Sequence, residues 1–176
     1  MKSYSLVLRI GLIGLLTIPF RLYLQPKNNQ KIIYKVNYGS VDLNAPTAIK
    51  MFNSIQKYSE EYGIPLKYAL GVAYAETRYQ GPFHWKYNPV QKSSAGALGP
   101  MQIMPSTANS VWGKNIPRNE LSSNIDLNVE TSMMVLKRLY EKYRDWRLVF
   151  GCYNTGRPCV NDYANRVYNF NPGNKK

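Results

Sequence analysis

Over residues 46–168 the large apolar side chains recur at intervals of three and four, the period of helices that bury one face. That pattern constrains the chain to a mostly α domain. Met51, Ile55, Tyr58 and Tyr62 mark a first helix from Pro46, with Asn44 available as its cap and Gly63 at its end. Pro65 opens a second helix that runs to Tyr79, because a proline in the first turn lacks only an N–H that would be unpaired anyway. A short helix is expected after Pro105. The next period, Val129, Met133, Leu136, Leu139 or Tyr140 and Tyr143, predicts a helix over 125–143. Another starts near Asp145, carries Trp146, Val149, Phe150 and Tyr153 and stops at the Asn154-Thr-Gly156 break, and a last short one holds Tyr163, Val167 and Tyr168. Residues 80–99 are rich in Gly, Pro, Asn and Ser and long for a connection, which marks a binding loop. The expected layout is one mainly α domain over 46–170 and a tail over 171–176.

The N-terminus has another character. Arg9 and Arg21 bracket 11 uncharged, mostly apolar residues, fewer than the roughly 20 a spanning helix needs. Residues 1–24 therefore read as a signal peptide or N-terminal membrane anchor. No small-x-small cleavage site follows Arg21, which favours the anchor, a leader that stays attached with its arginines reaching to the interfaces. Residues 25–45 read as a linker: the polar run 25–31 is a tether, and 31–43 alternates too poorly for more than an irregular or short-strand entry. The chain is expected to be exported to the periplasm or cell envelope.

Charge narrows the partners. The net charge is +13, and the part after residue 24 keeps 20 bases against 10 acids. Such a body favours polyanions such as nucleic acid, anionic lipid or an acidic wall polymer. The bases form no run of five or six and match no common nucleic-acid signature, which argues against nucleic acid. One His and two Cys cannot complete a zinc site without carboxylates, so neither metal nor other cofactor is expected. Cys152 and Cys159 flank the turn-rich stretch 153–158, and are either a disulfide suited to an exported protein or two small buried thiols.

Of the ten acids, Glu76 stands apart. At about 100° per residue it lies roughly 180° from Lys67, but within about 40° of Ala69 and Val72 and 60° of Ala73. A carboxyl against apolar neighbours is disfavoured as an anion, so its pKa rises and it can serve as a general acid. An edge carboxylate that pairs with an arginine or caps a neighbouring helix is the alternative, and this helix alone leaves both open.

Further motifs bear on the choice. After Glu76-Thr-Arg-Tyr79 come Asn88-Pro89, then Ser93-Ser-Ala-Gly-Ala-Leu-Gly-Pro-Met-Gln-Ile-Met-Pro105, then Asn128-Val129, then Cys152-Tyr-Asn-Thr-Gly156. This ordered set resembles the lytic transglycosylases of the soluble and goose-type-lysozyme-like group. The resemblance extends over about 46–167 and implies a lysozyme-like single catalytic domain. It also implies Glu76 as the catalytic acid, Ser93 close to its carboxyl, Met101, Gln102 and Met104 along the groove, and Tyr153 with Asn154 facing the cleft. Plainer readings stand beside these: Met101 and Met104 as core, Ser93 as a turn residue, Tyr153 and Asn154 as a helix end. Thr77, Pro100 and Cys152 replace the usual Ser, Leu and Ala, and 80–87 is an insertion that brings Phe83, His84, Trp85 and Tyr87 near the cleft in sequence.

Ordinary glycosidases use two carboxylates. No second one lies in the matched segments, the next acids being Glu120 and Asp126. The resemblance accordingly implies that Glu76 protonates the bond between N-acetylmuramic acid and N-acetylglucosamine in peptidoglycan glycan strands, then takes the proton of the muramyl 6-hydroxyl as it closes on C1. A hydrolytic muramidase of the same fold and a non-catalytic glycan-binding protein are the rivals. The small single domain is also similar to transglycosylases that open the wall for a secretion, conjugation or phage apparatus.

Overall fold

The computed structural model describes residues 45–173. The expected leader, the linker up to residue 44, the Asn44 cap and the end of the tail lie outside them. Helices make up 60% of the described residues and no strand forms among them, so the domain is mainly α. The helices are α1 (Thr47–Tyr62), α2 (Leu66–Thr77), α3 (Pro105–Trp112), α4 (Arg118–Ser123), α5 (Ile125–Tyr143), α6 (Trp146–Thr155) and α7 (Asp162–Tyr168).

The starts and stops follow local chemistry. Pro46 and Pro65 precede α1 and α2, and Pro105 opens α3. Asn124, Asp145 and Asn161 accept backbone N–H groups of the first turns of α5, α6 and α7. Gly63, Gly113 and Gly156 close α1, α3 and α6 in the left-handed conformation. Two expectations change. Helix α2 ends at Thr77, two residues before Tyr79, because Arg78 turns left-handed (φ 58°) and caps it. Helix α4 was not expected, since its six residues bury only Leu121 and present no period.

The core runs from Met51, Ile55 and Phe52 of α1 through Ala69, Val72 and Ala73 of α2 to Val129, Met133 and Leu136 of α5 and Val149 and Phe150 of α6. Helix α5 crosses the middle. Ser54 donates to Asp126 and Tyr62 donates to Glu130 at 3.0 Å, tying α1 to it. Trp112 Nε1 donates to Thr131 at 2.9 Å, and Arg138 reaches the α3 end through the Val111 carbonyl at 2.8 Å. A ring cluster seals the other side: Tyr68 contacts Trp146, Phe150 and Tyr168 with centroids 5.0, 5.1 and 5.7 Å away. Many of the tyrosines thus serve the core. Helix α7 lies close on α2 at Gly71, where a Cβ would come within 3.0 Å of Phe170 Cβ and 3.1 Å of the Val167 carbonyl.

Candidate active site

Glu76 sits in the last turn of α2, one turn beyond the buried Val72 and Ala73. Removal of water from its carboxyl pushes the pKa from 4.5 up to about 7, against a hydrogen bond that acts in the opposite sense. That bond comes from Tyr163, whose hydroxyl donates to Oε1 at 2.5 Å from the first turn of α7. Burial first, and then the Glu76 charge, raise the Tyr163 pKa well above its ordinary 10, so the phenol keeps its proton and remains a donor. The Tyr153 hydroxyl on α6 is raised for the same two reasons in the same order. No other carboxylate acts on Glu76 among the described residues.

The segment 91–104 is a folded turn tied to Thr77 of α2 and to Tyr153 of α6. Leu98 bridges to Lys92 and to Ile103, and Gly99 N–H donates to the Gln91 carbonyl at 2.9 Å. Asn128 of α5 pins it from below. Its fully buried amide donates to the Leu98 and Leu121 carbonyls at 2.9 and 2.8 Å and accepts Met101 N–H at 2.8 Å. Gly99 is required there, because its φ is 74° and a Cβ would lie 2.5 Å from Asn128 Nδ2. Thr77, the neighbour of Glu76, links the turn to α2: its Oγ1 donates to the Pro100 carbonyl at 2.9 Å and accepts the Tyr87 hydroxyl at 2.8 Å.

The expected site residues take different places on this frame. Tyr153 donates to the Met101 carbonyl at 2.8 Å, which leaves Ser132 at 2.9 Å as the donor to the Tyr153 oxygen. Both nitrogen donors of Gln102 are used on the Gly99 and Gln91 carbonyls, at 2.8 and 3.3 Å, while its Oε1 has no partner among the described residues. Met104, at the start of α3, is exposed. Met101 is wholly buried, so what reaches the site from it is the backbone carbonyl and not a groove-lining side chain. Ser93 makes no hydrogen bond to Glu76; its Oγ accepts Ala97 N–H at 3.0 Å within the turn. Asn154 is exposed and accepts from Asn161 at 3.3 Å, which joins the end of α6 to the cap of the helix that bears Tyr163.

Cys152 and Cys159 are free thiols, both half-buried. The backbone of Cys159 crosses directly over Gly151, and its Sγ lies 3.6 Å from the Thr155 hydroxyl. From the 80–87 insertion, Tyr87 is buried against Tyr79, whereas Phe83 and Trp85 stand exposed. The residue that sequence reasoning missed is Tyr163. Its only signal was a periodic position on a short helix, which is the signal of a core residue.

Residues 53–175 match the family described as the transglycosylase SLT domain. The chain belongs to the transglycosylase SLT domain family. Two curated relatives, each a soluble lytic murein transglycosylase, from Escherichia coli strain K12 and from Escherichia coli O157:H7, are 32% identical to this SLT domain over 108 residues. Those matches take in 57% of this chain and 15% of each relative, so the chain spans a small part of their length. The crystal structure of the 70 kDa soluble lytic transglycosylase from Escherichia coli superposes with a TM-score of 0.51 at 24% identity, over 66% of this chain and 18% of that one. A structure of the 70 kDa soluble lytic transglycosylase in complex with bulgecin A gives the same values. At that identity the likeness concerns the fold alone, and it is the lysozyme-like helical fold that the motifs implied.

Proposed function

We propose that the protein is a peptidoglycan lytic transglycosylase that cleaves the β-1,4 bond between N-acetylmuramic acid and N-acetylglucosamine and leaves a 1,6-anhydro muramyl end. The observation that carries this reading is the Glu76 carboxyl. It is desolvated, titrates at about 7, is held by one phenol, and has no second carboxylate acting on it among the described residues.

A lone carboxyl supports the following sequence. Protonated Glu76 gives its proton to the glycosidic oxygen as the C1–O bond breaks, and the electron pair of that bond leaves with the N-acetylglucosamine oxygen. The resulting carboxylate accepts the Tyr163 hydrogen bond, which supports its charge between the two transfers. It then takes the proton of the muramyl 6-hydroxyl while O6 bonds to C1. The acid is regenerated and no water is consumed. Orientation of the bound sugar replaces a bimolecular attack.

In this reading Gln102 Oε1, the Ser93 hydroxyl, Met104 and Asn154 contact the strand, and Tyr153 and the Met101 carbonyl set the cleft wall. The chain works outside the cytoplasm, in the periplasm or cell envelope, with 46–170 as the catalytic domain, 25–45 as the linker and 1–24 as a removed leader or a retained inner-membrane anchor. Loss of turbidity of purified peptidoglycan tests the reading. Glu76→Gln is expected to lower the rate by about 10³-fold or more with fold and glycan binding intact, and unchanged activity would remove the assignment.

A further inference from the structure

The two helices that hold the Glu76–Tyr163 pair also border a cavity of about 470 Å³, lined by Gly71, Tyr74, Ala75, Arg78, Arg166 and Phe170. Tyr74 and Glu76 are two residues apart and point about 160° from one another around α2. The cavity therefore opens on the side of α2 away from the carboxyl. One wall is aromatic: the Tyr74 and Phe170 rings are 5.3 Å apart, and the Arg78 guanidinium lies 5.4 Å over Tyr74. Across from it is Arg166, one turn after Asp162 on α7 and close enough to Tyr163 to influence its hydroxyl.

Among the described residues both guanidinium groups are without a partner of opposite charge. Neither Arg78 nor Arg166 forms a salt bridge or donates a side-chain hydrogen bond among the described residues, and no residue lining the cavity is acidic. Their places at the ends of α2 and α7 suit the helix dipoles. That accounts for their sign, but not for a shared cavity walled by rings. Two planar forks with unused donors match a carboxylate, which they can bind in bidentate fashion.

We propose that this cavity binds a carboxylate on the peptide arm of the peptidoglycan strand, with Arg78 and Arg166 as the anion-binding pair and the Tyr74 and Phe170 rings against the peptide. The inference rests on the function proposed above. The arm leaves the muramyl unit beside the bond under attack, and three to five extended residues span about 10–17 Å. A helix with its side chains is about 10–12 Å across. Because Glu76 lies in the last turn of α2, the arm has only to pass around one helix end to reach the arginines.

The test compares the full-length protein and its Arg78→Gln/Arg166→Gln variant on intact peptidoglycan and on glycan strands stripped of peptide by an amidase. KM for the peptide-bearing strands should rise about tenfold in the variant, while stripped strands are cleaved as by the wild type. Equal losses on both substrates, or no loss on either, would overturn the proposal. A second measurement does not depend on turnover. The tripeptide L-alanyl-γ-D-glutamyl-L-lysine should shift the amide resonances of Gly71 and Phe170 saturably in the wild type and not in the variant. Absence of those shifts, or equal shifts with inorganic phosphate at the same concentration, would defeat the peptide assignment. A wild type inactive on both substrates would defeat the catalytic reading, and the titration would still decide the cavity.

Discussion

Burial raises the pKa of the Glu76 carboxyl, as the proposed proton transfer needs, and by the same physics makes it a burden on the folded state. Its native pKa of about 7 lies above the unfolded value of 4.5. Below pH 4.5 both states hold the proton and the residue contributes nothing. As pH rises from 4.5 to 7 the unfolded chain loses the proton first, so stability falls, and above 7 the full penalty is present. Glu76→Gln should consequently stabilise the protein by about 3 kcal/mol at pH 8 and leave it unchanged near pH 4. Denaturant melts at the two pH values check this, and equal effects at both would contradict it. Tyr163→Phe removes the hydrogen bond that favours the carboxylate. The alkaline limb of kcat/KM should move to higher pH, with a loss of about 1 kcal/mol in stability; an unmoved limb would mean that the phenol does not tune the acid. At this scale the apolar surroundings of Glu76 were legible, because its angular position against Ala69 and Val72 follows from helix geometry, while its expected role came from the surrounding motifs and not from the helix. Tyr163 was not, since a hydroxyl contact across 87 residues leaves no mark in a periodicity.

Among the elements, the long helices were read from their period and most of their ends from Pro, Gly and Asn or Asp signals. The misses have physical causes. Arg78 ends α2 in a left-handed conformation that nothing in its residue type announces, and α4 is too short to show a face. The 91–104 turn is held by Asn128, a distant side chain whose amide meets three backbone groups. Asn128→Ala would strand the Leu121 carbonyl and the Met101 N–H and leave the Leu98 carbonyl with Ile103 N–H alone, and should cost about 3 kcal/mol, with activity lost ahead of unfolding as the turn loosens. A melt within 0.5 kcal/mol of the wild type would be at odds with that role. Gly151→Ala is a separate check on α6. A Cβ there would sit 1.7 Å from the Cys159 carbonyl oxygen, so the 157–160 segment must move, and a loss of about 3 kcal/mol is expected from overpacking. Full stability in a thermal melt would contradict this crossing.

Taken whole, the described residues bring one desolvated acid, one phenol and one pinned turn together from α2, α7 and the loop before α3, and they do so without a second carboxylate at the acid. In the proposed reading the sugar supplies its own nucleophile to this set, whereas a carboxylate that activated water instead would make it a hydrolase. The direct measurement is the mass of the muropeptides released from purified peptidoglycan. The account predicts products one water lighter than the hydrolytic ones and resistant to borohydride reduction. Muropeptides that carry reducing ends throughout would contradict it and make the protein a muramidase.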